Sequence, residues 1–203
     1  MKTLITGGAG FVGYHLAKRL AADGGNDITI ADDLSRGKKD GDLKALLTNT
    51  NVSLIEVDLT ERAAWAKLGG GYGRVYHLAS INGTKLFYEM PHEVLRVGLL
   101  SALYALDWFA KDNGTKDAKI LYTSSNEAYA GGLEAFNQLP IPTPENVPLV
   151  IADTYNPRWS YAGQKLAGEL LFIHFAKAHG FRMSIVRPHN FYGPRSGYGH
   201  VIP

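Results

Sequence analysis

Cysteine is absent from the 203 residues, which excludes disulfides and thiolate metal sites and is compatible with a reducing compartment. Charge of one sign is scarce as well: 21 Lys and Arg against 19 Asp and Glu leave a net +2. That balance argues against a dedicated nucleic-acid or membrane surface. Long apolar runs are missing, so no membrane span is expected. The opening MKTLITGGAGFVG lacks the uninterrupted apolar core of a signal peptide, because Thr6 and the glycines break it early. The expected location is therefore cytoplasmic. The seven histidines never fall four apart on one helix-like stretch, so no metal site is expected, and His77 reads as a core or loop residue.

What is present is an ordinary globular balance, 45% hydrophobic and 20% charged, enough for one domain spanning 1–203. Strand-like KTLIT, DITIAD, SLIEVD, RVYHLAS, KILYTS and RMSIVRP alternate with helix-like YHLAKRLAADGG, ERAAWAKL, EVLRVGLLSALYALDWFAKD and RWSYAGQKLAGELLFIHFAKAHG. This βαβ succession predicts an α/β fold, a doubly wound parallel sheet of Rossmann-like type with helices on both faces. GGGYG at 69–73 reads as a flexible turn and LPIPTPENVP at 139–148 as a long surface loop. The long stretches 93–111 and 157–179 offer faces compatible with a homodimer.

TGGAGFVG at 6–13 joins the first strand to the first helix. Gly8, Gly10 and Gly13 satisfy G-x-G-x-x-G, and Gly7, Gly10 and Gly13 satisfy G-x-x-G-x-x-G. Such glycines permit a tight turn and close backbone approach to a pyrophosphate at the positive helix end. The motif is weak alone, but here a strand precedes it, a helix follows, and the second strand ends in Asp32 and Asp33. Asp32 is suited to accept from both adenosine ribose hydroxyls and to repel a 2′-phosphate, which favours NAD over NADP. Arg36, Lys38 and Lys39 work against that preference unless they form a solvated basic turn, the reading preferred here. Asp58 is open to two readings: a partner for the adenine amino group, or a helix N-cap.

SSNEAY at 124–129 places two hydroxyls, an amide, a carboxylate and a phenol just past an apolar strand. Tyr161 and Lys165 lie four apart on a predicted helix and share a face. Tyr14 and Lys18 have the same spacing and are expected to be a surface pair.

Taken in order, TGGAGFVG, DDLSRG, VDLT, HLAS, SSNEAY, YAGQK and RPHNFYGPR resemble the extended short-chain dehydrogenase/reductase family, and within it the NAD-dependent sugar-nucleotide epimerases and dehydratases. The resemblance runs along the whole chain. It implies Ser125, Tyr161 and Lys165 as a catalytic trio. It implies an NAD site formed by Gly7, Gly10, Phe11, Val12, Gly13, Asp32, Asp33, Asp58, Leu59, Leu78, Ala79, Ser80 and Pro188 together with Tyr161 and Lys165. It places Ser125, Asn126 and Asn190 on the nucleotide-sugar side, with His189 near the nicotinamide. An ammonium at ~4 Å would stabilise a phenolate by up to ~4 kcal/mol at an effective dielectric of ~20, so Lys165 is expected to make Tyr161 acidic enough to act as a base. Once C4 of a sugar is a ketone, the C5 proton is acidic. Glu127 is the expected base for it, given a basicity raised by burial.

Three positions depart from the family pattern. Asn126 stands where many dehydratases carry an aspartate, and an amide cannot protonate a leaving hydroxyl. Ala130 stands where a glycine is common, and Gly98 where an asparagine is common. Family members continue past residue 203 into a smaller lobe over the sugar. The expectation is thus a fragment with that lobe largely missing, binding NAD with weak or no turnover by itself. Two other readings stay open: a reductase exchanging NAD(P)H each turnover, and a non-catalytic NAD-binding module.

Overall fold

The computed structural model describes residues 1–112, 117–190 and 192–196. Six parallel strands, β1 (Lys2–Thr6), β2 (Asp27–Asp32), β3 (Val52–Glu56), β4 (Arg74–His77), β5 (Lys119–Thr123) and β6 (Arg182–Val186), form one sheet in the order β3-β2-β1-β4-β5-β6. The order reverses between β1 and β4, and in open sheets of this kind a crevice opens past the carboxyl ends at that point. The predicted doubly wound α/β architecture is therefore present. Of the C-terminal stretch GPRSGYGHVIP, everything past Ser196 lies outside the described residues.

Alternation along each strand supplies two cores. Leu4 and Ala31 face one side with α4 (Pro91–Asp112) and α6 (Trp159–His179), packing among Leu106, Phe109 and Phe172. Their neighbours Ile5 and Ile30 face the other side, against Tyr14, Ala17 and Leu20 of α1 (Phe11–Ala22) and Leu43 and Leu46 of α2 (Gly41–Leu46). Successive strand residues point to opposite faces, so near-continuous apolar strands are what a sheet covered on both faces requires. Helix α6 lies close against the sheet because Gly168 lacks a side chain: a Cβ there would stand 2.0 Å from the Tyr122 hydroxyl.

Several elements differ from the sequence expectation. The ERAAWAKL stretch is a 3-10 helix, Arg62–Leu68, not a regular α-helix. Asp58 does not cap it; its Oδ1 instead accepts from the Thr60 N–H and hydroxyl, both at 2.8 Å. Tyr14 is not a surface residue, being only 5% exposed. Its helical spacing with Lys18 fixed a shared face but not the direction of that face. Two short helices, α2 and α3 (Thr84–Glu89), and one longer one, α5 (Glu127–Phe136), were not expected. Among the described residues no helix is long and apolar enough to cross a membrane, and no group of His, Asp and Glu could hold a metal ion.

Candidate active site

At the switch point the hydroxyl of Thr6, fully buried at the end of β1, accepts from the N–H groups of Leu78 (3.1 Å) and Ala79 (3.2 Å). Its own proton is left to point at His77 Nδ1, 3.0 Å away. That ring is buried in the core, and burial pulls its pKa down to about 3, so it remains a neutral imidazole. This arrangement carries the chain after β4 past the Gly7 turn. A Cβ on Gly7 would lie 2.9 Å from the Ala79 nitrogen, and one on Gly13 would lie 2.5 Å from the Gly7 carbonyl oxygen. Side chains at either position would fill the turn. The α1 N-terminus has neither a side-chain cap nor an acidic residue in its first turn, leaving the positive helix end to an anion.

A cleft of about 600 Å³ runs from this turn across the sheet end. All nineteen sequence-nominated positions other than the repeats line it: the glycine turn from Gly7 to Gly13 with Phe11 and Val12, then Asp32, Asp33, Asp58 and Leu59, then Leu78, Ala79 and Ser80, then Ser125, Asn126, Glu127, Tyr161 and Lys165, then Pro188 and Asn190. Asp32 is buried, and its two oxygens accept from Ala9 N–H (3.0 Å) and Leu34 N–H (2.9 Å). A carboxylate has about four lone-pair sites, so two remain for ribose hydroxyls. Burial raises its pKa, opposed by those two N–H donors. Asp33 turns back on its own loop, accepting from Ser35 N–H at 3.0 Å and the Ser35 hydroxyl at 2.7 Å. Lys38 and Lys39 are solvated, as preferred from sequence. Arg36 is not simply so: its guanidinium donates to the Asn82 carbonyl across the cleft, and burial lowers its pKa.

At the opposite end of the cleft, Tyr161 is 8% exposed and stacks on Phe87 of α3 with ring centroids 4.6 Å apart. The Ser125 side chain lies close enough to lower the phenol's pKa. Lys165 is fully inside the protein and its Nζ donates to the Thr123 carbonyl at 2.7 Å, 5.5 Å from the Tyr161 ring centroid. The electrostatics differ from expectation. Burial pushes the Tyr161 phenol up to about 12, the Ser125 side chain opposing and the Glu127 charge adding to it. Burial pulls the Lys165 ammonium down to about 7. Desolvation, which disfavours both charged forms, is the leading cause at each group.

Glu127 opens α5 and is not buried as its expected role required. Its side chain is 36% exposed and Oε2 lies 3.3 Å from Arg158 Nη2. Asn126 donates its backbone N–H to the Pro188 carbonyl at 3.1 Å, and the Ser124 N–H bonds the Val186 carbonyl at 2.8 Å. These bonds tie the carboxyl end of β5 to that of β6. Behind them sits a buried pair that no local motif announced: Arg187 grips Glu169 with Nε–Oε1 at 2.8 Å and Nη2–Oε2 at 2.6 Å. The Ser124 hydroxyl donates to the same carboxylate, while Arg187 also reaches the Tyr129 hydroxyl (2.9 Å) and the Glu145 carbonyl (3.0 Å). Sequence reading also missed Phe87, Ile81 and Arg96 in the cleft wall, since nothing in their local pattern separates a lining residue from a core one.

Comparison with known proteins agrees with this geometry. Residues 3–203 match the model of the NAD dependent epimerase/dehydratase family. The chain is 33% identical to a UDP-N-acetyl-alpha-D-glucosaminuronate decarboxylase of Bacillus cytotoxicus, the match covering 100% of this chain and 59% of that protein. It is also 33% identical to UDP-glucuronic acid decarboxylase 3 of Arabidopsis thaliana, over 96% of this chain and 52% of the relative. Among solved structures, a UDP-N-acetylglucosamine 4-epimerase from Methanobrevibacter ruminantium superposes with a TM-score of 0.81 at 26% identity, covering 98% of this chain and 59% of that one. A UDP-glucose 4-epimerase from Thermotoga maritima gives 0.80 at 27%, with the same coverage. The chain thus spans between half and three-fifths of the length of these relatives.

Proposed function

Because the chain belongs to the NAD-dependent epimerase/dehydratase family, we propose that it binds NAD across the switch-point cleft and that the full-length protein transiently oxidises a nucleotide sugar at C4. The observation carrying this reading is the convergence of Ser125, Tyr161 and Lys165 at one end of a cleft whose other end is the glycine turn and Asp32. The cradle fits the cofactor. Gly7 and Gly13 leave room that any side chain would take, the uncapped α1 end suits a pyrophosphate, and Asp32 keeps lone pairs for ribose. Leu78, Ala79 and Ser80 form the middle of the wall, and Tyr161 and Pro188 its nicotinamide end.

Oxidised NAD held by these residues would supply a hydride acceptor and a positive charge to the cleft. That charge favours the Tyr161 phenolate, whose pKa of about 12 is too high for a base at neutral pH without it. Tyr161 then takes the proton of the C4 hydroxyl, and Ser125, beside the phenol in the cleft wall, orients the same oxygen. Lys165, with a pKa of about 7, is poised to gain or lose a proton near neutrality, and its bond to the Thr123 carbonyl fixes its position.

The fate of the C4 ketone depends on the next loop. Asn126 cannot protonate a departing C6 hydroxyl, which weighs against a standard 4,6-dehydration. A sugar bearing a C6 carboxylate becomes a β-keto acid when C4 is oxidised. The C5–C6 bond breaks, CO₂ leaves, the electron pair is held as the C4 enolate and water then protonates C5. No hydroxyl leaves C6, so decarboxylation tolerates Asn126. The two curated relatives named above are decarboxylases by name. Epimerisation at C5 with Glu127 as base is the second reading, favoured by that residue's place at the cleft.

Incubating the full-length protein with UDP-, GDP- and dTDP-sugars and UDP-uronic acids in heavy water tests the proposal. Release of CO₂ from a uronic acid supports the first reading, and deuterium at C5 without CO₂ supports the second. Inversion at C4 alone leaves Glu127 structural. Conversion that survives Tyr161→Phe unchanged, or failure to bind NAD, overturns the assignment.

A further inference from the structure

The residue immediately before Lys165 is a glutamine whose carboxamide is sealed inside the protein. Gln164 is 1% exposed. Its Nε2 donates to the Ser80 hydroxyl at 3.1 Å, and Ser80 lines the cleft between Ala79 and Ile81. Its Oε1 has no hydrogen-bond partner among the described residues. A buried acceptor left unpaired is unfavourable, and native structures tolerate such groups mainly where function retains them. Gln164 also depends on a gap in the facing helix. A Cβ on Gly98 of α4 would lie 2.0 Å from its Oε1, 2.5 Å from its Cδ and 3.1 Å from its Cγ. Gly98 is helical, with no positive φ to require a glycine, and a mid-helix glycine weakens a helix. Its explanation is therefore the space that it leaves.

We propose that Gly98 and Gln164 act as one unit, in which the gap on α4 admits a single carboxamide from α6 that positions the Ser80 hydroxyl in the cofactor cleft. Gln164 is a positioning residue: it acts on the cleft through Ser80. The cleft requires one carboxamide between α4 and α6, and the helix that supplies it is exchangeable. An asparagine at 98 would place its carboxamide where that of Gln164 now lies, so the two cannot coexist, whereas either alone suffices.

The inference rests on the proposed NAD site and on nothing in the sugar chemistry. Its test is NAD affinity by tryptophan-fluorescence titration of the full-length protein, beside thermal melts. Gln164→Leu keeps the volume and removes both polar ends; an NAD Kd about tenfold weaker is expected with no fall in Tm, because the unpaired acceptor goes too. A purely structural glutamine would instead lower Tm and leave Kd within twofold of the parent, overturning the proposal. Should that variant fail to fold, the exchange decides. Gly98→Asn is expected to weaken binding at least tenfold, and Gly98→Asn with Gln164→Ala to recover to within about threefold. A double variant no tighter than Gly98→Asn alone overturns the coupling. If the unmutated protein itself does not bind NAD, the cofactor site fails, an outcome distinct from variants that match a binding parent.

Discussion

Removing the Lys165 ammonium should stabilise this protein at acidic and neutral pH. Lys165 sits fully inside, its pKa lowered from 10.5 to about 7 by burial. An unfolded chain therefore binds a proton that the folded one releases between about pH 7 and 10.5, and stability from this group rises with pH across that window. Below it the folded state carries a buried charge at a cost of up to about 5 kcal/mol. Lys165→Met removes that cost but leaves the Thr123 carbonyl without its donor, worth roughly 1–3 kcal/mol. A net gain of about 2–4 kcal/mol is expected at pH 6. The gap between variant and parent should shrink by about 3 kcal/mol by pH 9, equivalent to roughly 6–12 °C in Tm for a chain of this size. Melts of both cofactor-free proteins at pH 6 and pH 9 measure this directly. A gap that stays constant with pH, or a variant less stable at pH 6, would show that Lys165 is not held in a desolvated site.

Glu169→Gln strands the Arg187 guanidinium, whose side chain is only 16% exposed, and should cost about 3 kcal/mol in urea denaturation; a loss below about 1 kcal/mol would mean the pair is solvated. Gly168→Ala should destabilise by about 2 kcal/mol because its Cβ meets the Tyr122 hydroxyl. Adding Tyr122→Phe should restore only part of that loss, because the ring Cζ would still stand 2.4 Å from the added Cβ, and a purely additive double variant would refute the contact. Asp32→Ala removes the acceptor proposed to face the ribose and should weaken NAD at least tenfold while narrowing its advantage over NADP. Titration with both cofactors checks this, and an unchanged ratio would clear Asp32 of a role in selectivity.

The sheet was legible because strands covered on both faces are plain apolar runs, and the glycine turn because its residues answer a local backbone demand. Helix α5 was hidden for a physical reason. Its Gly131 and Gly132 argue against a helix, yet a Cβ on Gly131 would stand 1.7 Å from the Val150 carbonyl oxygen, so close approach of the following loop, not flexibility, accounts for it. Periodicity grouped Tyr14 with Lys18 without saying which way they point. The Glu169–Arg187 pair joins residues on different elements, where spacing has no meaning. The protonation of the trio was misjudged because a pairwise charge argument omits desolvation, which burial of both groups makes the larger effect.

Arg187 holds the 139–148 segment by a main-chain oxygen, that of Glu145, and not by any side chain. The anchor is thus indifferent to residue identity at that position and demands only the path of the backbone. Side chains along the segment are consequently free to diversify without disturbing Ser124, which shares the same brace through Glu169. A cleft wall kept constant while its neighbouring surface drifts is a simple way for one scaffold to change what it meets.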